Sequence, residues 1–339
     1  MKQAILLKPG SIEIRDVPVP APSKGELVVK IHTSLTCGTD LKAYKRGHSL
    51  IPMPGPFGHE YSGTVAAAGK GVSEFKEGDP VMGVHSAPCN ECRYCRKGLF
   101  NLCEAIMERK ALGAFAEYML LPAHVVKQNL FQKPASMNFQ EAALLEPFSC
   151  VIHPYNKLNI DEIETALVLG AGPIGLLHLS YLTMRGIRTI VSDISVSRLS
   201  AAEKMGGTVT ESSGLESVIQ ENTDALGVDL VVECTGIAAV WERTVQYVRR
   251  GGTAVLFGGC PAGTSVNYDT HRLHYDELTV SGSFHYTPDD VRQARQILVE
   301  QKIDLSTLIS GSFSLDKLTE ALNLLEKGEG IKYAIKPKN

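Results

Sequence analysis

The sequence predicts an α/β protein of two domains, an irregular β-rich domain followed by a doubly wound parallel sheet. Three observations predict it. The chain has 339 residues, more than one ordinary hydrophobic core organises. Its first half reads as short strands interrupted by glycine and proline. From about residue 160, apolar runs rich in Val, Ile and Leu alternate with helix-length segments, the pattern of a parallel sheet covered on both faces.

The β-rich half is carried by Glu26–Ile31, Tyr61–Ala67 and Pro80–Val84, with Gly47, Pro52, Pro54, Gly55, Pro56 and Gly58 punctuating the loops. The second domain begins with Thr165–Leu169, which ends on glycine and leads into the helix-like stretch from Ile174. Arg188–Asp193, Val228–Glu233 and Gly252–Phe257 follow as buried strands. After Gly282 the pattern turns helical, over Pro288–Gln301 and Leu315–Glu326, and ends in the strand-like Lys332–Ile335. The expected division is 1–155 for the β-rich domain, 156–284 for the doubly wound domain, and 285–339 for a segment returning to the first.

Composition narrows the function. Hydrophobic residues make up 44% and charged residues 21%, as in a soluble globular protein, and the formal charge is −3. That balance gives no electrostatic reason to expect nucleic acid or an anionic membrane. With no export-signal pattern and no apolar run of about 20 residues, the expectation is a cytoplasmic protein without a membrane segment. Of the eight cysteines, five fall between Cys37 and Cys103 and four of these lie within fifteen residues. Such clustering points to metal before disulfides.

Gly170-Ala171-Gly172-Pro173-Ile174-Gly175 fits G-x-G-x-x-G between a strand and a helix. The first glycine permits the turn, the second lets the backbone approach a pyrophosphate, and the third lets helix and strand pack closely. Asp193 stands about 20 residues on, where a carboxylate accepts from both ribose hydroxyls of NAD and repels a 2′-phosphate. NAD is therefore expected over NADP, with Arg198 packing on the adenine or ribose side. Asp193 is equally placed to cap the next helix.

Cys89-x-x-Cys92-x-x-Cys95 followed by Cys103 offers four thiolates to one tetrahedral zinc. A closed set of four sulfurs leaves no open coordination position, so this zinc is expected to be structural.

Five segments together, Cys37-Gly38-Thr39-Asp40, Gly58-His59-Glu60-Tyr61-Ser62-Gly63-Thr64-Val65, the lobe from Cys89 to Cys103, Leu145-Glu146-Pro147 and Gly170–Gly175, make the chain resemble the zinc-containing medium-chain dehydrogenase/reductases. The likeness spans essentially the whole chain and is nearest to the sorbitol (polyol) and threonine dehydrogenase branches. It implies a GroES-like catalytic domain plus a Rossmann domain, with a second, catalytic zinc between them. Composition and spacing do not unite Cys37, His59, Glu60 and Glu146; the resemblance does. It makes Cys37 and His59 permanent ligands and Glu60 a direct or interchangeable one. Glu146 either binds the metal or holds its water, and Thr39 relays the alcohol proton. Pro173, Ile174, Thr235, Phe257, Gly258, Ser283 and Phe284 fall where the family lines its cofactor groove.

The implied reaction is hydride transfer from a secondary alcohol, a polyol or sugar alcohol and its ketone being the small-molecule pair, to NAD, in a homo-oligomer (dimer or tetramer). The sequence departs from its relatives at Lys42, where many have a relay histidine, and at Phe284-His285-Tyr286, where polyol enzymes show Phe-Arg-Tyr. His285 either touches a substrate hydroxyl or caps the following helix. The alternatives are L-threonine 3-dehydrogenase, disfavoured by the stretch after Gly282, and a non-catalytic zinc-ribbon sensor, disfavoured by the absence of a basic stripe.

Overall fold

The computed structural model describes residues 1–337. The chain divides into two compact units. Unit 1 comprises residues 1–150, 286–301 and those from 308 onward, and unit 2 comprises 151–285 and 302–307. Among the described residues no helix is long and apolar enough to cross a membrane.

Unit 1 is built on a mixed seven-stranded sheet. Its order is Ile309–Ser314, Lys332–Lys336, Leu27–Leu35, Glu60–Ala68, Pro80–Gly83 and Leu130–Gln132, with Tyr118–Leu121 also on Leu27–Leu35. The inward side chains Leu27, Val29, Ile31, Tyr61, Val65 and Val81 form one core. Tyr44, Phe57, Phe115, Leu318, Leu322 and Ile335 form another. The register sets Ala334 opposite Leu35, and Leu35 opposite Glu60. The strand Lys332–Lys336 is therefore laid two strands from Glu60.

Unit 2 is a six-stranded parallel sheet in the order Thr208–Thr210, Arg188–Ser192, Thr165–Leu169, Val228–Glu233, Val248–Leu256 and Thr279–Gly282. All five residues of Thr165–Leu169 are buried, as a central strand covered on both faces requires. Strand order reverses on either side of it, so a crevice opens at its carboxyl end. Truncating a buried member of this core, such as Leu167 to alanine, costs about 2–5 kcal/mol.

The expected α/β architecture is present, with the N-terminal strands antiparallel and the later ones parallel. Among the strands that escaped the sequence reading are Thr208–Thr210, Thr279–Gly282 and Ile309–Ser314. Each lies at a sheet edge, where partial exposure removes the continuous apolar run that marks a central strand.

Candidate functional site

Unit 1 gathers three of the expected ligands. Cys37 ends the strand region and stands at the N-cap of the helix Gly38–Arg46. His59 and Glu60 open the strand Glu60–Ala68 from its buried end. The ligand atoms of Cys37, His59 and Glu60 all lie within 4.8 Å of one another.

Asp40, three residues into the same helix, ties the set together. Its carboxylate accepts the Cys37 amide at 3.2 Å and faces His59 Nδ1 at 3.4 Å. With Nδ1 engaged, Nε2 is the nitrogen left for a metal, the arrangement in which a carboxylate orients a ligating imidazole. Burial works against charge on His59, yet Asp40 and Cys37 outweigh it and hold its pKa well above the usual value. Thr39 sits half-buried in the first turn of that helix, one residue from Asp40.

Glu60 is fully buried, and the Lys332 ammonium reaches its two oxygens at 2.8 and 2.7 Å. Burial pushes the carboxyl up, Lys332 pulls it back, and it ends at about 7. Burial opposes the charge on Lys332, but Glu60 raises its pKa above the ordinary lysine value.

Glu146 lies outside the trio. It faces His85 Nδ1 at 3.3 Å, and the Cys150 thiol lies 3.9 Å away. The Tyr286 hydroxyl is 3.2 Å from His85 Nδ1 and 3.0 Å from Ser86 Oγ. His85 in turn stands with its ring 5.0 Å from that of His59. The helix Pro288–Val299 is capped by Thr287, whose side chain accepts the Asp290 amide. His285 is therefore not the cap; it takes a left-handed φ of 61°.

The four-cysteine lobe fits a metal by its own geometry. Four sulfurs bonded to one ion at about 2.3 Å stand about 3.8 Å apart. Cys89 and Cys95 Sγ lie 3.9 Å apart, and all four sulfurs fall within 4.8 Å of one another. Backbone amides point at sulfur: Cys89 to Cys103, Cys92 to Cys89 and Cys95 to Cys92. Amides of Cys95 and Glu104 hold the Cys92 thiol at about 6. Beyond the cysteines, the lobe's apolar cluster contains only Phe100, Ala105, Ile106 and Met107, too little to order it without an ion.

In unit 2 the glycine turn closes the strand Thr165–Leu169 and opens the helix Pro173–Met184. Gly170 has φ 99°, and a Cβ on Gly175 would lie 1.8 Å from the Gly170 carbonyl oxygen. A Cβ on Gly172 would meet nothing within 4 Å, which leaves the turn open to a ligand. Asp193 accepts the Ala171 amide at 2.7 Å and the Ser195 amide at 2.8 Å. The cap position of the following helix belongs to Ser195. A cavity of about 350 Å³ is lined by Gly170, Gly172, Asp193, Arg198, Cys234 and Thr235 among others. Arg198 Nε has no hydrogen-bond partner among the described residues. Pro173, Ile174, Phe257, Gly258, Ser283 and Phe284 lie outside that lining. Phe257 packs edge-on to His178, and Phe284 is exposed.

Asp40, His85 and Lys332 were not singled out from sequence. Asp40 carried a usable signal, an acidic residue in a helix first turn beside a ligand cysteine. His85 and Lys332 carried none.

The alcohol dehydrogenase GroES-like domain family matches residues 23–132, and the zinc-binding dehydrogenase family matches residues 173–300. The sorbitol dehydrogenase of Bacillus subtilis is 31% identical over 99% of this chain and 97% of its own. The L-threonine 3-dehydrogenase of Cronobacter sakazakii is 30% identical over 99% of both chains. A zinc-binding dehydrogenase of Sinorhizobium meliloti 1021, solved bound to NADP, superposes with a TM-score of 0.89 at 29% identity, covering 99% of each chain.

Proposed function

The chain belongs to the zinc-binding dehydrogenases that carry an alcohol dehydrogenase GroES-like domain, and from that premise we propose that it oxidises a secondary alcohol of a polyol or sugar alcohol to the ketone with NAD. The observation that carries this reading is the convergence of Cys37, His59 and Glu60 within 4.8 Å, beside a threonine on the same helix turn as the ligand cysteine.

When bound, zinc supplies Lewis acidity that lowers the pKa of the alcohol, and the nicotinamide supplies the two-electron acceptor. The chain's own residues do the rest. Cys37 and His59 would hold the metal, with Asp40 fixing the imidazole's orientation. Glu60 would be the third ligand, and its pairing with Lys332 would limit the negative charge it offers the metal. Glu146 stands behind, held by His85, as a ligand or as the acceptor that fixes a water. Thr39 takes the alcohol proton through its hydroxyl and passes it outward; Lys42 occupies the position where relatives have a histidine, so the outer part of the relay differs.

Asp193 supports NAD over NADP, because a 2′-phosphate brought to this carboxylate meets like charge. The metal-type grouping of Cys89, Cys92, Cys95 and Cys103 supports a reducing compartment such as the cytoplasm, and the resemblance supports a dimer or tetramer. The non-catalytic ribbon reading gives way to dehydrogenase membership. Threonine stays as a second substrate reading because a threonine dehydrogenase is as similar as the sorbitol enzyme.

A panel of sugar alcohols, sugar-alcohol phosphates, threonine and simple secondary alcohols, assayed with NAD and with NADP on protein of measured zinc content, tests the proposal. Turnover of a polyol with NAD and about two zinc per chain is expected. Turnover confined to threonine transfers the protein to the second reading, and no turnover at full zinc occupancy rejects both.

A further inference from the structure

Glu233 ends the strand Val228–Glu233, next to the glycine turn, and is completely buried. Its carboxylate serves one loop. Oε1 accepts the Thr235 amide at 2.7 Å and also the Thr235 hydroxyl; the two oxygens share the Gly236 amide at 3.1 and 3.2 Å. Burial pushes the carboxyl pKa up, while these donors and Trp241 pull it back. A buried carboxylate tolerates its surroundings only when donors of this kind satisfy it.

Thr235 passes that order to the glycine turn. A Cβ on Gly170 would lie 3.0 Å from the Thr235 methyl, and the neighbouring Cys234 amide donates to the Leu169 carbonyl at 2.9 Å. From the far side, Gly258 closes on the same loop: a Cβ there would lie 2.3 Å from the Gly236 nitrogen. Trp241 Nε1 locks Gly258 by donating to its carbonyl at 2.9 Å. The turn thus stands between two carboxylates on the two neighbouring strands. Asp193 takes its Ala171 amide directly, and Glu233 acts on it through Thr235.

We propose that Glu233 is a positioning residue of the dinucleotide site, holding Thr235 against Gly170 so that the turn and the helix N-terminus stay set to receive a pyrophosphate. The inference rests on reading this turn as a dinucleotide site. Glu233 reaches no ligand itself; both its oxygens are engaged by the loop. The role predicts a selective effect: groups that bind through the pyrophosphate weaken when Glu233 is altered, and those that bind through adenosine alone do not.

The test is calorimetric titration of the full, zinc-loaded protein with ADP-ribose and with adenosine. Glu233→Gln places an NH2 among donors. Thr235→Val keeps the methyl on Gly170 and removes only the hydroxyl, and it carries the test if Glu233→Gln fails to fold. Each variant is expected to raise the ADP-ribose Kd about tenfold, as the loss of a hydrogen bond to a charged group does, and to leave the adenosine Kd within about twofold. The double variant is expected to be no weaker than the weaker single, since both break one connection. Unchanged ADP-ribose binding overturns the inference, and so does a parallel loss of both ligands, which marks a general loosening. If the unaltered protein binds neither ligand, the dinucleotide reading itself falls.

Discussion

His178 gives the sharpest quantitative test of the packing inside unit 2. It is completely buried in the helix Pro173–Met184, its Nδ1 lies 2.8 Å from the Tyr155 hydroxyl, and burial drives its pKa down to about 3. In the unfolded chain it titrates near its ordinary value of about 6.5. Above that value neither state is protonated and the imidazole has no pH-dependent effect. Between the two values the unfolded state takes up a proton that the folded state refuses, so stability falls with pH. At about pH 5 the gap below 6.5 is about one and a half units, which at about 1.4 kcal/mol per unit predicts a loss of about 2 kcal/mol relative to about pH 7.5. Glutamine can keep a hydrogen bond to Tyr155 and cannot titrate. Urea unfolding, followed by the fluorescence of Trp241, the one tryptophan in the chain, reads unit 2 directly. Native protein should lose about 2 kcal/mol more than His178→Gln between the two pH values. Equal losses, within about 0.5 kcal/mol, would mean that His178 is reached by solvent and that this helix packs differently.

Three further outcomes follow from the sites. Lys332→Met leaves the Glu60 carboxylate buried without its partner. Zinc-free protein should lose about 3–5 kcal/mol in denaturant unfolding, and Glu60→Gln in the same chain should recover part of it; a loss under about 1 kcal/mol would show the pair to be solvated. Cys103→Ser should reduce zinc by about one per chain and expose the lobe from Cys89 to Cys103 to limited proteolysis; full zinc content would disprove the four-sulfur site. Asp193→Ala should move the NADP-to-NAD ratio of kcat/KM upward by about tenfold or more, while also weakening both cofactors because the Ala171 amide loses its acceptor; an unmoved ratio removes Asp193 from the ribose.

What the sequence disclosed follows the range of the interactions. The four-cysteine lobe and the glycine turn are local: their spacings encode geometry within a few residues, so both could be read directly. Cys37, His59 and Glu60 converge only through strand pairing, and resemblance supplied what spacing could not. Lys332 was out of reach altogether. It pairs with Glu60 across 272 positions of sequence, and a lysine in the strand Lys332–Lys336 reads as a solvent-facing residue. His85 has the same difficulty, meeting Tyr286 across 201 positions. The support of the glycine turn by Glu233 escaped for another reason. An acidic residue at the end of a buried strand looks like the start of a loop, and only the directions of the amides around it show otherwise.

The interleaving of the units bears on how the protein is made. A ribosome completes residues 151–285, nearly all of unit 2, before it reaches the strand Lys332–Lys336. During that interval unit 1 lacks both its returning strand and the counter-ion of Glu60. The parallel sheet can therefore close during translation, whereas the seven-stranded sheet must wait until Lys332–Lys336 has emerged. A chain interrupted before Lys332 would carry a complete parallel sheet joined to a unit 1 with an unpaired sheet edge, a form suited to recognition by chaperones and proteases.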